Sequence, residues 1–348
     1  MLFKLFDNKR TIDFYLVDAF EISHFMPFYK RLGQEGYDVK FVAEPCKRNT
    51  AKNWFDYNTA IKILDNEGVD YIKRARKKAN ITFTTQDAYL LSKYHKNTKK
   101  INLSYGFSFK KDYFPNSKRT IVGFDYRFVH GEFQKNILSN YFDINRILEV
   151  GYPRYHNTLN IKIDRIKLLS ELGITTNKPI VIYFPTWDED STIQLFGDTI
   201  KRLKEKYYVI TKPHHCTTMD KNPNDYLKIK EISDYVLDNL YDLKKASMIA
   251  DVCIADAKSG ISLEIAYIND NIPILLLINS ENKKNDYYKE MWEYFNVIDN
   301  PKDLSQTIDS VILNDTYRDK RNCIIEKCYG LKNYNYMDDV VRLINSIV

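Results

Sequence analysis

Ile249–Ile265 reads IADVCIADAKSGISLEI, and this stretch decides the fold. Val252–Ala255 is a short apolar run of strand type, Asp256-Ala-Lys-Ser-Gly260 is a polar turn, and Ile261–Ile268 is an apolar-faced helix. A strand that feeds a helix through a tight turn is half of a βαβ unit, from which parallel sheets are built. At such a helix start the backbone N–H groups of Ser259, Gly260 and Ile261 lack intrahelical partners, and the helix dipole favours an anion. Gly260 lets a phosphate approach the backbone, and Ser259 either adds a hydroxyl donor or caps the helix. Glu264, one turn further on, accepts hydrogen bonds from a ribose or simply faces solvent. The turn is neither a Walker loop nor a GxGxxG fingerprint, so by itself it marks only an anion site.

The same rhythm extends on both sides. Downstream of it, Pro273–Ile278 (PILLLI) reads as a strand, and the tail from Leu304 to Val348 as helix broken at Gly330. Upstream, Lys167–Leu172 reads as a helix, Pro179–Phe184 as a strand, Thr199–Lys206 as a helix, Tyr207–Lys212 as a strand and Asp242–Ser247 as a helix. The first half repeats the pattern: strands at Thr11–Val17, Val39–Ala43, Ile81–Thr84, Lys100–Ser104, Ile121–Gly123 and Ile147–Val150. Helices are expected there over Ile22–Glu35, Trp54–Asn66 and Ala88–Tyr94. Gly151-Tyr-Pro153 and the polar stretch after it interrupt the pattern. The expected fold class is therefore α/β: two Rossmann-like, doubly wound domains facing a cleft. The boundaries drawn are 1–154, 155–325 and a C-terminal helix over 326–348 that packs back on the first domain.

A chain of 348 residues with 44% hydrophobic and 28% charged residues suits two globular cores. No apolar run approaches the roughly 20 residues that span a bilayer, and the N-terminus has no signal-peptide pattern. Five cysteines without paired-ligand spacing fit free thiols in a reducing cytoplasm, with neither a disulfide framework nor a metal site. The net charge of +6 suits anionic partners such as nucleotide phosphates or lipid headgroups. Lys73–Lys78 (KRARKK) reads as a solvated helix face. The aromatic residues form no RNA-binding motif, so nucleic acid is not an expected partner.

Four further motifs fall at strand ends. Lys212-Pro-His214-His215 follows the strand Tyr207–Lys212, where His214 can donate to a diphosphate oxygen, with Lys212 beside it. Two plain loop histidines are the alternative. Adjacent histidines should point in different directions, which argues against a metal. Thr186 and Trp187, in Tyr183-Phe-Pro-Thr-Trp-Asp188, sit where a hydroxyl and backbone amides reach phosphate and an indole packs on a base or acceptor. Arg154, in Gly151-Tyr-Pro-Arg154, offers a fork of donors to an anion. In the first half, His24, Tyr105 and His130 are the candidates for a base acting on a hydroxyl.

Taken in order, FTTQ (Phe83–Gln86), YG-x3-KK, GYPR, YFPTW, TKPH and YDL-x5-ADVCIADAKSG resemble the CDP-glycerol glycerophosphotransferase family of teichoic-acid primases and polymerases. The resemblance covers about Phe83–Leu277 and implies a GT-B fold and a metal-independent transfer from CDP-activated glycerol, with no cofactor. It maps the phosphate-binding histidine to His214 and the Asp-x-x-Ser turn to Asp256 and Ser259. It also exposes two departures. The family usually has His-Gly where this chain has Tyr105-Gly106, and DYSS where this chain has DAKSG.

The reading is a cytoplasmic transferase, peripheral on the inner membrane face, of cell-surface polymer synthesis. It would move glycerol phosphate or a related polyol phosphate to a glycan or lipid-linked acceptor hydroxyl. A CMP- or UDP-sugar glycosyltransferase of capsule or lipopolysaccharide synthesis, and a nucleotide-binding partner that has lost catalysis, are the competing classes.

Overall fold

The computed structural model of the chain describes residues 10–45, 56–85, 92–104, 123–156, 158–217, 223–279 and 292–348. Contacts divide these into two compact units: residues 10–104, 123–158 and 327–348 form one, and residues 159–326 the other.

The first unit is built on seven parallel strands: β1 (Thr11–Tyr15), β2 (Asp38–Val42), β3 (Tyr71–Ile72), β4 (Ile81–Thr84), β5 (Lys99–Leu103), β6 (Tyr126–Val129) and β7 (Ile147–Glu149). Their order, β3-β2-β1-β4-β5-β6-β7, reverses direction between β1 and β4. Phe14, Phe41 and Phe83, all fully buried, lie on these neighbouring strands, and the rings of Phe14 and Phe83 stack at 5.0 Å. Helix α1 (Glu21–Gln34) lays Ile22, Phe25, Phe28 and Leu32 on this layer, the i, i+3, i+4 spacing of an amphipathic helix. The unit also contains α2 (Tyr57–Glu67), α3 (Glu132–Leu138) and α4 (Pro153–His156).

The second unit is a six-stranded parallel sheet of β8 (Ile180–Phe184), β9 (Tyr208–Thr211), β10 (Tyr235–Val236), β11 (Val252–Asp256), β12 (Ile274–Leu277) and β13 (Asn296–Ile298). Its order, β10-β9-β8-β11-β12-β13, reverses between β8 and β11. Every residue of β8 and β11 is buried, which explains why both read as unbroken apolar runs. Around it run α5 (Arg165–Glu171), α6 (Ile193–Leu203), α7 (Pro223–Ile232), α8 (Leu243–Ile249), α9 (Ile261–Ile268), α10 (Leu304–Leu313) and most of α11 (Arg318–Tyr329). Helix α12 (Tyr336–Ile347) belongs to the first unit, whose core receives Met337, Val340, Val341 and Ile344. Both units are thus the doubly wound α/β sheets expected.

Several elements differ from the sequence reading. Helix α6 begins six residues before the expected Thr199, because the buried face Ile193, Phe196 and Ile200 extends it backwards. Strands β3, β6, β10 and β13 and helix α7 were not foreseen; none of these strands exceeds four residues, too few for a clear period. Lys73–Lys78 is no helix face. Arg76 turns inward, donating to the buried Asp13 at 2.6 Å, to Asp38 at 2.5 Å and to the Ile12 carbonyl at 2.9 Å. The expected strand Ile121–Gly123 and helix Ala88–Tyr94 lie largely outside the described residues.

Glu21 opens α1 from a position with no solvent exposure. Its carboxylate accepts from the Val17 N–H at 2.7 Å, the Asp18 N–H at 3.2 Å and the Thr85 hydroxyl, and so ties the loop after β1 to the end of β4. Burial raises its pKa from 4.5 to about 7, despite those three donors. A raised carboxyl pKa means that the folded state prefers the proton. This group's stabilising contribution is full below about pH 4.5 and is lost as pH rises through 7. Glutamine matches the protonated form, with its oxygen on the two N–H groups and its amide donating to Thr85. We expect Glu21→Gln to raise Tm at pH 8, relieving on the order of 3 kcal/mol of charge burial at most. Thermal melts from pH 4.5 to 8 should show the wild type losing stability relative to the variant as pH rises.

Candidate functional site

In doubly wound sheets ligands bind beyond the carboxyl ends of the strands, where the strand order reverses. In the second unit that point lies between the ends of β8 and β11. Asp256, the last residue of β11, has no solvent exposure and gathers both loops. One carboxylate oxygen accepts from the backbone N–H of Thr186 at 2.7 Å and of Thr192 at 3.3 Å. The other accepts from the Thr192 hydroxyl at 2.5 Å and the Tyr183 hydroxyl at 3.1 Å. Burial nevertheless lifts its pKa to about 6, and Tyr183 is pushed well above its ordinary value by burial and by Asp256. The carboxylate was expected to help grip a diphosphate. Its position reassigns it: it faces inward, fully engaged in organising the loop from Tyr183 to Thr192. The Thr186 N–H is engaged with the same carboxylate.

After Asp256 the chain emerges. Lys258, Ser259, Gly260 and Ile261 are half-buried, and α9 starts here with its first N–H groups at the end of β11. The Ile261 N–H lies 3.4 Å from the Ser259 hydroxyl, a long contact for a cap, and the helix has no side-chain cap of its own. Gly260 has φ −70°, a conformation open to any residue, so the backbone does not demand glycine there. Glu264 is half-buried one turn into α9.

At the end of neighbouring β9, the Cys216 N–H donates to Nδ1 of His214 at 3.2 Å. With Nδ1 accepting, the neutral ring carries its proton on Nε2, the arrangement a donor to phosphate needs. Trp187 stacks on His214 with ring centroids 6.1 Å apart and planes at 23°. Lys212 donates to the Asn239 carbonyl at 2.6 Å. His214 and His215 do not diverge as expected of sequence neighbours: their rings lie 4.2 Å apart at 31°. Together with buried Cys216 they bring possible ligand atoms within 4.8 Å of one another, the one such cluster among the described residues. That set would close on a metal only by moving atoms inward, since ligands at about 2.0–2.3 Å from zinc sit closer together than this.

In the first unit the structure brings together His24, His130 and Arg154. Nη1 of Arg154 lies 3.5 Å from Nε2 of His24, and both histidine rings pack on Tyr152. Burial first, then the charge of Arg154, holds the His24 pKa well below its ordinary value. Burial pushes His130 down to about 4, and its Nδ1 lies 2.7 Å from the Gly151 carbonyl. Both rings are therefore neutral at physiological pH. Arg154 stands over the Tyr155 ring at 4.9 Å. Tyr105 lies outside the described residues. Sequence reasoning missed Tyr183 and Thr192 as partners of Asp256; a carboxylate ending an otherwise apolar strand was the available signal.

Residues 27–346 match the family described as CDP-glycerol:poly(glycerophosphate) glycerophosphotransferase. A teichoic acid poly(glycerol phosphate) polymerase of Staphylococcus epidermidis is 25% identical over 234 residues, 62% of this chain and 31% of the relative. The polymerase of the same description from Bacillus spizizenii is 22% identical over 267 residues, 66% of this chain and 64% of the relative. The chain thus spans less than two thirds of the length of either. Among solved structures, the wall teichoic acid polymerase TagF superposes with a TM-score of 0.60 at 16% identity, over 97% of this chain and 89% of that one. That likeness identifies the fold as GT-B.

Asp256→Ala would leave two backbone N–H groups and two hydroxyls without their acceptor, and should destabilise the second unit by about 2–4 kcal/mol. Asp256→Asn can keep its oxygen on the two N–H groups and donate to the two hydroxyl oxygens, so it should retain most of the wild-type stability. Urea unfolding of the two variants separates them.

Proposed function

The chain belongs to the CDP-glycerol:poly(glycerophosphate) glycerophosphotransferase family, and from that premise we propose that it transfers glycerol phosphate, or a related polyol phosphate, from a CDP-activated donor to an acceptor hydroxyl in cell-surface polymer synthesis. The observation that carries this is the β8/β11 reversal, where the half-exposed start of α9 lies beside a loop fixed by Asp256. The Ser259 N–H, expected to be open, is donated to the Asp256 carbonyl at 2.9 Å, so the amides of Gly260 and Ile261 and Nε2 of His214 would hold the diphosphate. The acceptor oxygen attacks the glycerol-bearing phosphorus, the bond to the bridging oxygen breaks, and CMP leaves with the electron pair. His214 would stabilise the charge that develops on CMP, and Trp187 would flank the nucleotide.

His24 is our choice for the proton of the attacking hydroxyl. It is neutral, its Nε2 faces a side chain rather than a backbone carbonyl, and neutralisation of Arg154 by an anion would raise its basicity. His130 is bound to the Gly151 carbonyl and serves the packing of the unit. Charges of the chain itself would suffice, so the transfer is proposed to need no metal. A glycan or lipid-linked acceptor at the inner membrane face fits the net charge of +6. No helix of the described residues is long and apolar enough to cross a membrane.

His214→Ala should lower kcat on the order of 10²-fold, the usual cost of one lost donor to developing charge. A variant transferring at the wild-type rate would remove His214 from the mechanism. CDP-glycerol should raise Tm where UDP-sugars do not, and EDTA should leave turnover unchanged. Stabilisation by uridine nucleotides alone would favour the sugar-transferase reading.

A further inference from the structure

The turn Asp256-Ala-Lys-Ser-Gly260 carries a lysine that no step above uses. Nζ of Lys258 lies 2.5 Å from Oδ1 of Asp190, with the two side chains 21% and 15% exposed. Asp190 ends the short helical turn Asp188–Asp190 in the loop after β8, two residues before Thr192. Lys258 stands two residues after Asp256 on the other side of the same reversal. The ion pair therefore spans the two loops that Asp256 joins underneath, but on their half-exposed side, and it adjoins the open start of α9.

We propose that Lys258 is a specificity-determining residue for the donor's diphosphate, held in the empty protein by Asp190 and transferred to the phosphates when a nucleoside diphosphate binds. The inference rests on the donor reading above. A lysine suits this exchange: its ammonium is a point charge on a flexible four-carbon stem, with no fixed fork to realign. A pair that keeps some access to water also costs less to break than a fully buried one. Asp190 and the diphosphate then compete for one cation, and the loss of either partner has a defined sign. Without Lys258 the diphosphate loses a charge-assisted contact. Without the charge of Asp190 the ammonium is already free, and the phosphates gain.

Equilibrium binding of CDP-glycerol and CDP to the full chain tests this, with cytidine as the phosphate-free control. Lys258→Ala should weaken CDP about tenfold, the scale of one charge-assisted hydrogen bond. Asp190→Asn should tighten it about threefold, a change that disappears in the Lys258→Ala background, as coupling through one cation requires. Cytidine binding should be the same in all four proteins. A purely structural bridge predicts the opposite for Asp190→Asn, because breaking it from either side loosens the loops and weakens binding. That result, or tightening that survives without Lys258, overturns the proposal while leaving the donor reading intact. Failure of the wild type to bind any of the cytidine nucleotides would overturn both.

Discussion

A carboxylate sealed away from water must be given donors or take a proton, and Asp256 is given four. That requirement shapes the carboxyl ends of the strands in the second unit. The loop after β8 must turn so that Thr186 and Thr192 present their N–H groups inward, and Tyr183 must lean from within its strand to deliver its hydroxyl. The same loop carries Trp187 on one flank and Asp190 on the other. The bonds that fix this loop therefore lie beneath it, on a carboxylate sealed from water. Burial still outweighs the four donors and holds the Asp256 pKa up at about 6.

Much of this architecture is legible in the sequence, because parallel strands buried on both faces write themselves as apolar runs. The strand Ile81–Thr84 and the helix Ile261–Ile268 were read to the residue. What escaped was shorter or was decided elsewhere. A two-residue strand such as Tyr71–Ile72 has no period to detect, and the start of α6 depends on what Ile193 packs against. The site divides in the same way. The motifs were found, since glycine, proline and histidine at strand ends stand out. The direction of a side chain was not: Asp256 and Arg76 look like surface charges in a string of letters, and each turns inward to satisfy partners from distant segments.

The first unit makes the same point with histidines. His24 and His130 lie far apart in sequence, yet their rings share Tyr152, and both are kept neutral by burial. The two differ in what they face. One meets a backbone carbonyl, which is permanent; the other meets the guanidinium of Arg154, whose charge an incoming anion can cancel. The GT-B fold supplies the reversal points at which such groups collect. Which group acts is a matter of what each nitrogen is already bonded to.

Gly151 and Gly330 share a neighbour. Both have positive φ, at 63° and 72°, and a Cβ on either would fall within 2.4 Å of the Tyr336 side chain. Tyr336 is wedged against both glycines, its hydroxyl accepting from the Leu331 N–H at 2.9 Å. The glycine of the Gly151-Tyr-Pro-Arg154 motif thus makes room for the chain's own tyrosine. The helix that follows Tyr336 then seals the core of the first unit. This sets an order on biosynthesis. Residues 159–326 hold every strand of their sheet in one continuous run, so that sheet can close while the chain is still being made. The first sheet, although translated earlier and already covered in part by α1 and α2, lacks the last part of its apolar cover until residues 336–347 emerge.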